Sequence, residues 1–152
     1  MPVTTSLGTT ISVVLGAPAT YDAAGFAALT YAEVGEVSDI AEFGGETEIV
    51  THTPVKTGIV NKLAGPTDYG SMSIQFARVF AEAGQDAMKA GTGTGANAGK
   101  VHSFEVAYAD GGTEYFTGIN TSFKSNVGSA SSVRMGSCNI AINNDVIVVD
   151  PV

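Results

Sequence analysis

Strict alternation of apolar and polar residues over short segments is the feature that most restricts the fold of this chain. In residues 69–77, YGSMSIQFA, the apolar Met72, Ile74 and Phe76 alternate with serine and glutamine. Because successive side chains of a strand point to opposite faces, this pattern predicts a strand with one buried face. Similar patterns predict strands at residues 9–15, 29–40, 101–109, 113–120, 132–142 and 146–149, with a bulge expected at Gly35 and a loop at residues 16–25. About seven to nine strands in one domain indicate a mainly β fold, a single-domain sandwich or small barrel.

The period of the apolar residues changes once, after the strand at 69–77. Four apolar residues then lie at the spacing of one helix face: Phe80, Ala83, Ala87 and Met88. This spacing predicts one short flanking α-helix at residues 81–90, with Gly91 at its C-terminal cap. The glycine-rich residues 91–99, GTGTGANAG, are predicted to form a flexible loop, and residues 1–8 an N-terminal arm.

Residues 46–63 are predicted to form a hairpin that differs from the other strands. Its strands are expected at 46–52 and 55–63, and Gly65-Pro66 is expected to break the chain after it. Neither face is uniformly apolar. Alternate residues of the first strand are Glu46, Glu48, Val50 and His52, and alternate residues of the returning strand are Lys56, Gly58, Val60 and Lys62. Two interpretations stay open. The hairpin projects and is covered by a neighbouring subunit, or it is an ordinary exposed edge hairpin protected by its charges.

The charge content excludes some functions and favours others. Only 14% of the residues are charged, below the roughly one quarter of a typical soluble domain, which suggests that much surface lies against other subunits. The net charge is −8 and the seven basic residues are scattered, so a nucleic-acid-binding surface is not expected. An acidic surface would instead keep nucleic acid from adhering to a wall that it passes.

Motifs for catalysis or cofactor binding are not found. Gly93-Thr94-Gly95 lacks the spacing of a dinucleotide-binding loop, and Gly99-Lys100 is followed by Val101 where a P-loop needs Ser or Thr. Two histidines and one cysteine are too few for a usual zinc site, so His52, His102 and Cys138 are interpreted as structural. The acidic residues at 33–48 lack the calcium-loop pattern. We therefore expect no cofactor, no metal and no enzymatic activity.

No segment resembles a targeting signal or reaches the roughly 20 apolar residues of a membrane span. The apolar run at residues 11–19 is short, interrupted by glycine and proline, and preceded by no basic residue. A cytoplasmic product without a membrane partner is the expectation.

Several longer segments, in their order along the chain, resemble one family. They are LTYAEVGEVSDIAEFGGETEIV (29–50), DYGSMSIQF (68–76) ahead of a helix near GQDAM (84–88), and FTGINTSFKSNVG (116–128). Over residues 9–149 the chain resembles the tail tube (major tail) proteins of long-tailed bacteriophages and gene-transfer-agent-like particles, which are related to the tube proteins of contractile injection systems.

The resemblance implies a structural subunit of a virion tail, with a β-sandwich or barrel-like fold and a flanking helix. Such subunits form stacked, commonly hexameric, rings around a channel through which DNA passes without sequence-specific binding. The implied partners are further copies of the chain and the initiator or baseplate, terminator and tape measure proteins, with assembly in the host bacterial cytoplasm. The candidate inter-subunit contacts are Glu46, Glu48, His52, Lys56, Lys62, Val146 and Val148.

Other assembly roles remain open at this point. A tube protein of a type VI-like injection system, a tail terminator ring or a capsid decoration protein would have a similar β-rich composition. An enzyme or small-ligand binder is a further alternative, and it would need a pocket with convergent titratable groups.

Overall fold

The computed structural model describes residues 3–152, in which ten strands and two short helices form. In chain order they are β1 Thr10–Leu15, α1 Ala23–Ala27, β2 Ala32–Glu33, β3 Val37–Ile40, β4 Glu46–His52, β5 Asn61–Asp68, β6 Ser71–Ala77, α2 Ala83–Ala90, β7 His102–Ala107, β8 Thr113–Asn126, β9 Met135–Ile142 and β10 Ile147–Val149. The prediction of a mainly β fold in a single domain is confirmed.

Eight of the strands form one antiparallel sheet in the order β2-β1-β7-β8-β9-β6-β3, with β10 paired to β8 beside this path. The 14-residue strand β8 connects the two halves of the sheet. Its first half pairs with β7 and β10, and its second half pairs with β9. The strands β4 and β5 form a separate two-stranded sheet.

The core is a single cluster that receives side chains from both halves of the sheet. Phe104 of β7 stacks on Phe116 of β8 with 5.2 Å between ring centroids, and Phe43 contacts Phe116 at 5.4 Å. Ile11 of β1 and Ile74 of β6, far apart in the strand order, belong to the same cluster. The sheet therefore curls around one core, and each fully buried large side chain contributes roughly 1.5–3 kcal/mol.

The alternation at β6 is confirmed, because Met72, Ile74 and Phe76 are buried. The single strand expected at residues 29–40 was wrong. The chain instead forms β2 and β3, with a break in which Glu36 adopts a φ of 57°. Val34 is buried, and the Gly35 N–H donates to the Glu82 carboxylate at 3.2 Å. These two contacts stabilise the irregular backbone between β2 and β3.

The flanking helix exists but begins two residues later than the predicted 81–90. Ala81 has a φ of 60°, which ends the preceding loop, and the Glu82 side chain caps α2 by accepting from Gly84 and Gln85 N–H. The buried residues of α2 are Gly84, Gln85 and Met88. Phe80 was expected on the buried stripe but lies before the helix with 66% of its surface exposed.

A second helix, α1, was not predicted; the sequence suggested a loop there. The Asp22 carboxylate caps it by accepting from Gly25 N–H at 2.7 Å. Phe26 is fully buried and stacks on Tyr115 with 5.3 Å between centroids. One buried aromatic side chain therefore anchors a helix that is too short to show an apolar period.

Candidate assembly surfaces

The predicted hairpin is present as the β4–β5 hairpin, but its second strand begins later than expected. The strands are Glu46–His52 and Asn61–Asp68, and residues 53–60 connect them. Gly65 and Pro66 do not break the chain; they lie within β5, where the pairing with β4 shifts register. Proline has no N–H to donate, so a bulge of this kind is where a strand tolerates it.

The hairpin has no buried side chain on either face. All residues of its two strands are exposed except Gly65, which is half-buried. Six large apolar side chains of the hairpin are exposed, three in its strands and three in the connecting segment: Ile49, Val50 and Leu63, and Val55, Ile59 and Val60. Among the described residues the hairpin is paired only with itself, as a two-stranded sheet separate from the main one.

Charge is separated along the hairpin. At its base Glu46 lies directly opposite Asp68, and Glu48 is nearby on β4. Like charges directly opposite each other in a strand pair are destabilising. His52 and Lys62 lie at the far end of the strands, and Lys56 lies in the connecting loop. The hairpin is therefore acidic at its base and carries its basic residues toward its tip.

The C-terminal candidates differ from each other. Val146 is half-buried and packs against the core, whereas Val148 is 61% exposed. The strand β10 pairs with β8, with Val148 opposite Glu114. Val146 thus contributes to the chain's own core, and Val148 is free to contact a neighbour.

A surface that the sequence did not indicate lies where β6 ends and β9 begins. The guanidinium of Arg78 lies over the ring of Phe80 at 4.8 Å, and that of Arg134 lies over the same ring at 5.1 Å. Phe123 lies under Arg78 as well, at 5.0 Å. We call Arg78, Phe80 and Arg134 the Phe80 stack. Arg78 and Arg134 are far apart in sequence, and no local pattern marks them as neighbours.

Arg78 is only 7% exposed, and its polar partners are neutral oxygens. Its Nη1 donates to Val79 O at 2.8 Å and to Gln85 Oε1 at 3.1 Å. The buried Gln85 side chain also accepts from Val79 N–H and donates to the carbonyls of Gly35 and Ala77. This network fixes one member of the Phe80 stack rigidly.

The residues considered for chemistry have structural surroundings. His102 is buried with Nδ1 2.9 Å from Lys100 O, and His52 is exposed on the hairpin. Cys138 is buried, and burial raises the pKa of its thiol to about 12 despite the nearby Arg78 charge, which disfavours the reactive thiolate. Among residues 3–152 no group of three potential metal ligands comes together.

One groove, of about 230 Å³, lies between β3 and the end of β7. Its titratable lining groups are Asp39 and Tyr108. In the part of the chain that the structure describes, no helix is long and apolar enough to cross a membrane.

No protein-family model matches the sequence, and no curated protein matches it. Solved structures do match. A chain of the tail of an empty gene transfer agent particle, determined with C6 symmetry, is 16% identical with a TM-score of 0.67, covering 97% of this chain and 100% of that one. A chain of the sheath/tube terminator of an extracellular contractile injection system is 10% identical with a TM-score of 0.66, covering 99% and 98%.

A chain of the native gene transfer agent virion is 17% identical with a TM-score of 0.60, covering 79% of this chain and 89% of that one. At these identities the similarity establishes the fold. The protein therefore has the fold of subunits found in phage-like tails and contractile injection systems, and the resemblance to tail tube proteins is confirmed at that level.

Proposed function

We propose that this protein is a tail tube subunit, whose copies close into rings, commonly of six, that stack around a channel for DNA. The observation that carries the proposal is the hairpin of residues 46–68, which exposes both faces and six large apolar side chains. The similarity over the whole length to a chain of a particle tail with C6 symmetry supports the same assignment.

The hairpin needs an external partner for physical reasons. An isolated two-stranded hairpin is marginally stable at best in water, and burying apolar surface gains roughly 25 cal/mol per Å². Within its own chain the hairpin gains little of this, because none of its side chains is buried. A neighbouring subunit would cover Val50, Leu63 and the other apolar residues.

The edges of the main sheet point to the same kind of assembly. Its outermost strands are β2 and β3, and each has one side without a strand partner in the described chain. Ring closure gives such edges a neighbour and removes the risk of unspecific pairing. Head-to-tail contacts between identical subunits generate rings when the rotation closes.

The candidate contacts divide by chemistry. Glu46 and Glu48 would meet a basic surface of a neighbour, and His52, Lys56 and Lys62 an acidic one, while Val148 would add apolar area. Further partners would be the initiator or baseplate, terminator and tape measure proteins of a virion tail assembled in the host cytoplasm. The net charge of −8 per subunit would let DNA slide along the channel without adhering.

A terminator role is the second candidate. It is favoured by the similarity to a sheath/tube terminator chain, whose TM-score of 0.66 nearly equals that of the particle tail. A terminator closes as one ring on the end of a tube, whereas a tube subunit adds ring upon ring.

Electron microscopy of the purified protein over a range of concentrations tests the proposal. We expect hollow tubes or stacked rings of uniform width for the wild type, and their loss for the hairpin variant V50S/L63S. Leu15→Ser, at an exposed position on β1, is the matched control and should assemble normally. Closed rings that do not stack would favour the terminator, and a chain that stays monomeric at every concentration contradicts self-assembly.

A further inference from the structure

We propose that the Phe80 stack is the docking site for the acidic hairpin base of the next copy of this chain, with Glu46 and Asp68 as its ligands. The inference rests on the proposed function, since it names the contact through which copies associate. It is a heterologous contact, in which one surface of the molecule meets a different surface of its neighbour.

The first observation is a preformed cationic site on an acidic protein, in which Arg134 is exposed and Arg78 is buried beneath it. Two guanidinium groups lie within about 5 Å of one phenyl ring, at 4.8 and 5.1 Å from its centroid, and the ring is 66% exposed. The backbone N–H of Arg78 donates to Arg134 O at 2.8 Å, so the backbones of the two arginines are held side by side. A planar guanidinium is well suited to bind a carboxylate with two hydrogen bonds.

The second observation is that, within the described part of the chain, no carboxylate accepts a hydrogen bond from Arg78. Arg78 donates to a carbonyl and to an amide oxygen, both neutral. The nearby Glu82 carboxylate already accepts from Gly35, Gly84 and Gln85 N–H groups. Glu36 lies at the same end of the sheet but is exposed on a left-handed turn. The exposed Arg134 guanidinium is thus available to an external carboxylate, with the buried Arg78 charge behind it.

The third observation is an uncompensated pair of carboxylates elsewhere on the surface. Glu46 and Asp68 lie directly opposite each other where the hairpin leaves the body, and both are exposed. Asp68 Oδ1 accepts from Gly70 N–H at 2.8 Å, and this neutral amide is its side-chain hydrogen-bond partner among residues 3–152. Like charges directly opposite each other in a strand pair are unfavourable, and a cationic partner would compensate them.

The two surfaces lie at opposite ends of β6. Asp68 precedes this seven-residue strand and Arg78 follows it. At about 3.3 Å per residue the strand separates them by about 23 Å, so one chain cannot bring them together. A second copy placed head to tail can, and a repeated contact of this type produces a ring or a stack.

A charge-swap cycle tests the contact. Arg134→Glu and Glu46→Arg change exposed side chains on the two surfaces, and each single variant would place like charges across every contact. We expect each to raise the concentration needed for assembly about tenfold or more, as for the loss of a close interfacial charge pair. An equimolar mixture of the two variants should assemble again, because alternating copies then have complementary charges at every contact, and so should the double variant.

Two controls accompany the cycle. Lys100→Glu makes the same charge change at an exposed position away from the Phe80 stack and should assemble like the wild type. Thermal unfolding of each variant confirms that the subunit is folded. Assembly is followed by sedimentation and by electron microscopy, in parallel with the wild type.

The outcomes separate this inference from the proposed function. Recovery of assembly in the mixture supports the contact. If the wild type assembles and the single variants assemble equally well, or if the mixture does not recover, the contact is wrong while the subunit role survives. If neither the wild type nor the mixture assembles, both are overturned.

Discussion

The main sheet and the β4–β5 hairpin are built from strands of similar length, yet they bury their side chains in opposite ways. In β6 every second residue is buried, with Met72, Ile74 and Phe76 in the core. In β4, also seven residues long, no residue is buried. The difference does not lie in backbone pairing, because both are hydrogen-bonded to an antiparallel neighbour.

This contrast separates two sources of stability. The sheet is stabilised from within, by a core that one chain completes. The hairpin has backbone hydrogen bonds and the Thr47–Thr67 hydroxyl contact at 2.9 Å, but no apolar burial. Regions with few buried apolar contacts open at low free energy, and segments that order on binding belong to this class. We therefore expect substitutions in the sheet to change folding, and substitutions in the hairpin to change assembly.

The largest expected effect is in the core. Phe116→Ala removes a fully buried ring between Phe104 and Phe43 and should lower the free energy of unfolding by about 3–5 kcal/mol. Denaturant titration measures this. Phe80→Ala, the same change at an exposed ring, should cost about 1 kcal/mol or less. Equal costs for the two would contradict the assignment of Phe116 to the core.

The next effect concerns the buried polar side chain of Gln85 in helix α2. Gln85→Leu keeps a similar volume but removes the partner of Arg78 Nη1, Val79 N–H and two carbonyl oxygens. Leaving such groups unpaired costs about 1–3 kcal/mol. Gln75→Leu, on the exposed face of β6, is the control and should be near neutral. A Gln85 variant as stable as the wild type would show that water replaces these bonds.

A smaller effect is expected at the start of α2. Glu82→Ala removes the carboxylate that caps the helix and holds Gly35, so it should cost about 1 kcal/mol. Asp86→Ala, one turn later on the exposed side, should cost less. Unfolding curves of the two variants, measured side by side, decide whether the cap contributes as the geometry indicates.

Much of the sheet was predictable because alternation is a local property. In residues 71–77 the alternating apolar side chains are the ones that the structure buries, and the same holds for Phe104 and Val106 of β7. Gly35 indicated an irregularity in residues 29–40, but the full break was not predictable, since it involves the bond from Gly35 N–H to Glu82, 47 positions further along the chain. Helix α1 was missed because five residues are too few to show a period.

The candidate surfaces were predictable to different degrees. The mixed faces of residues 46–52 already distinguished the hairpin from strands that bury one side, so its exposure followed from sequence. The Phe80 stack did not, because Arg78 and Arg134 meet only through the pairing of β6 with β9. Long-range strand pairing creates this surface, and no local pattern of residues records it.

The smallest expected effect on folding is in the hairpin, and it tests the comparison most directly. Val50 and Leu63 face each other across the strands and are exposed. In dilute solution V50S/L63S should change the free energy of unfolding by no more than about 0.5 kcal/mol, as for other surface substitutions. In concentrated solution the same variant should fail to assemble, because the apolar area that a neighbour would bury is reduced. A loss of several kcal/mol in the dilute subunit would mean that the hairpin stabilises its own chain, and the division between an internally and an externally stabilised region would not hold.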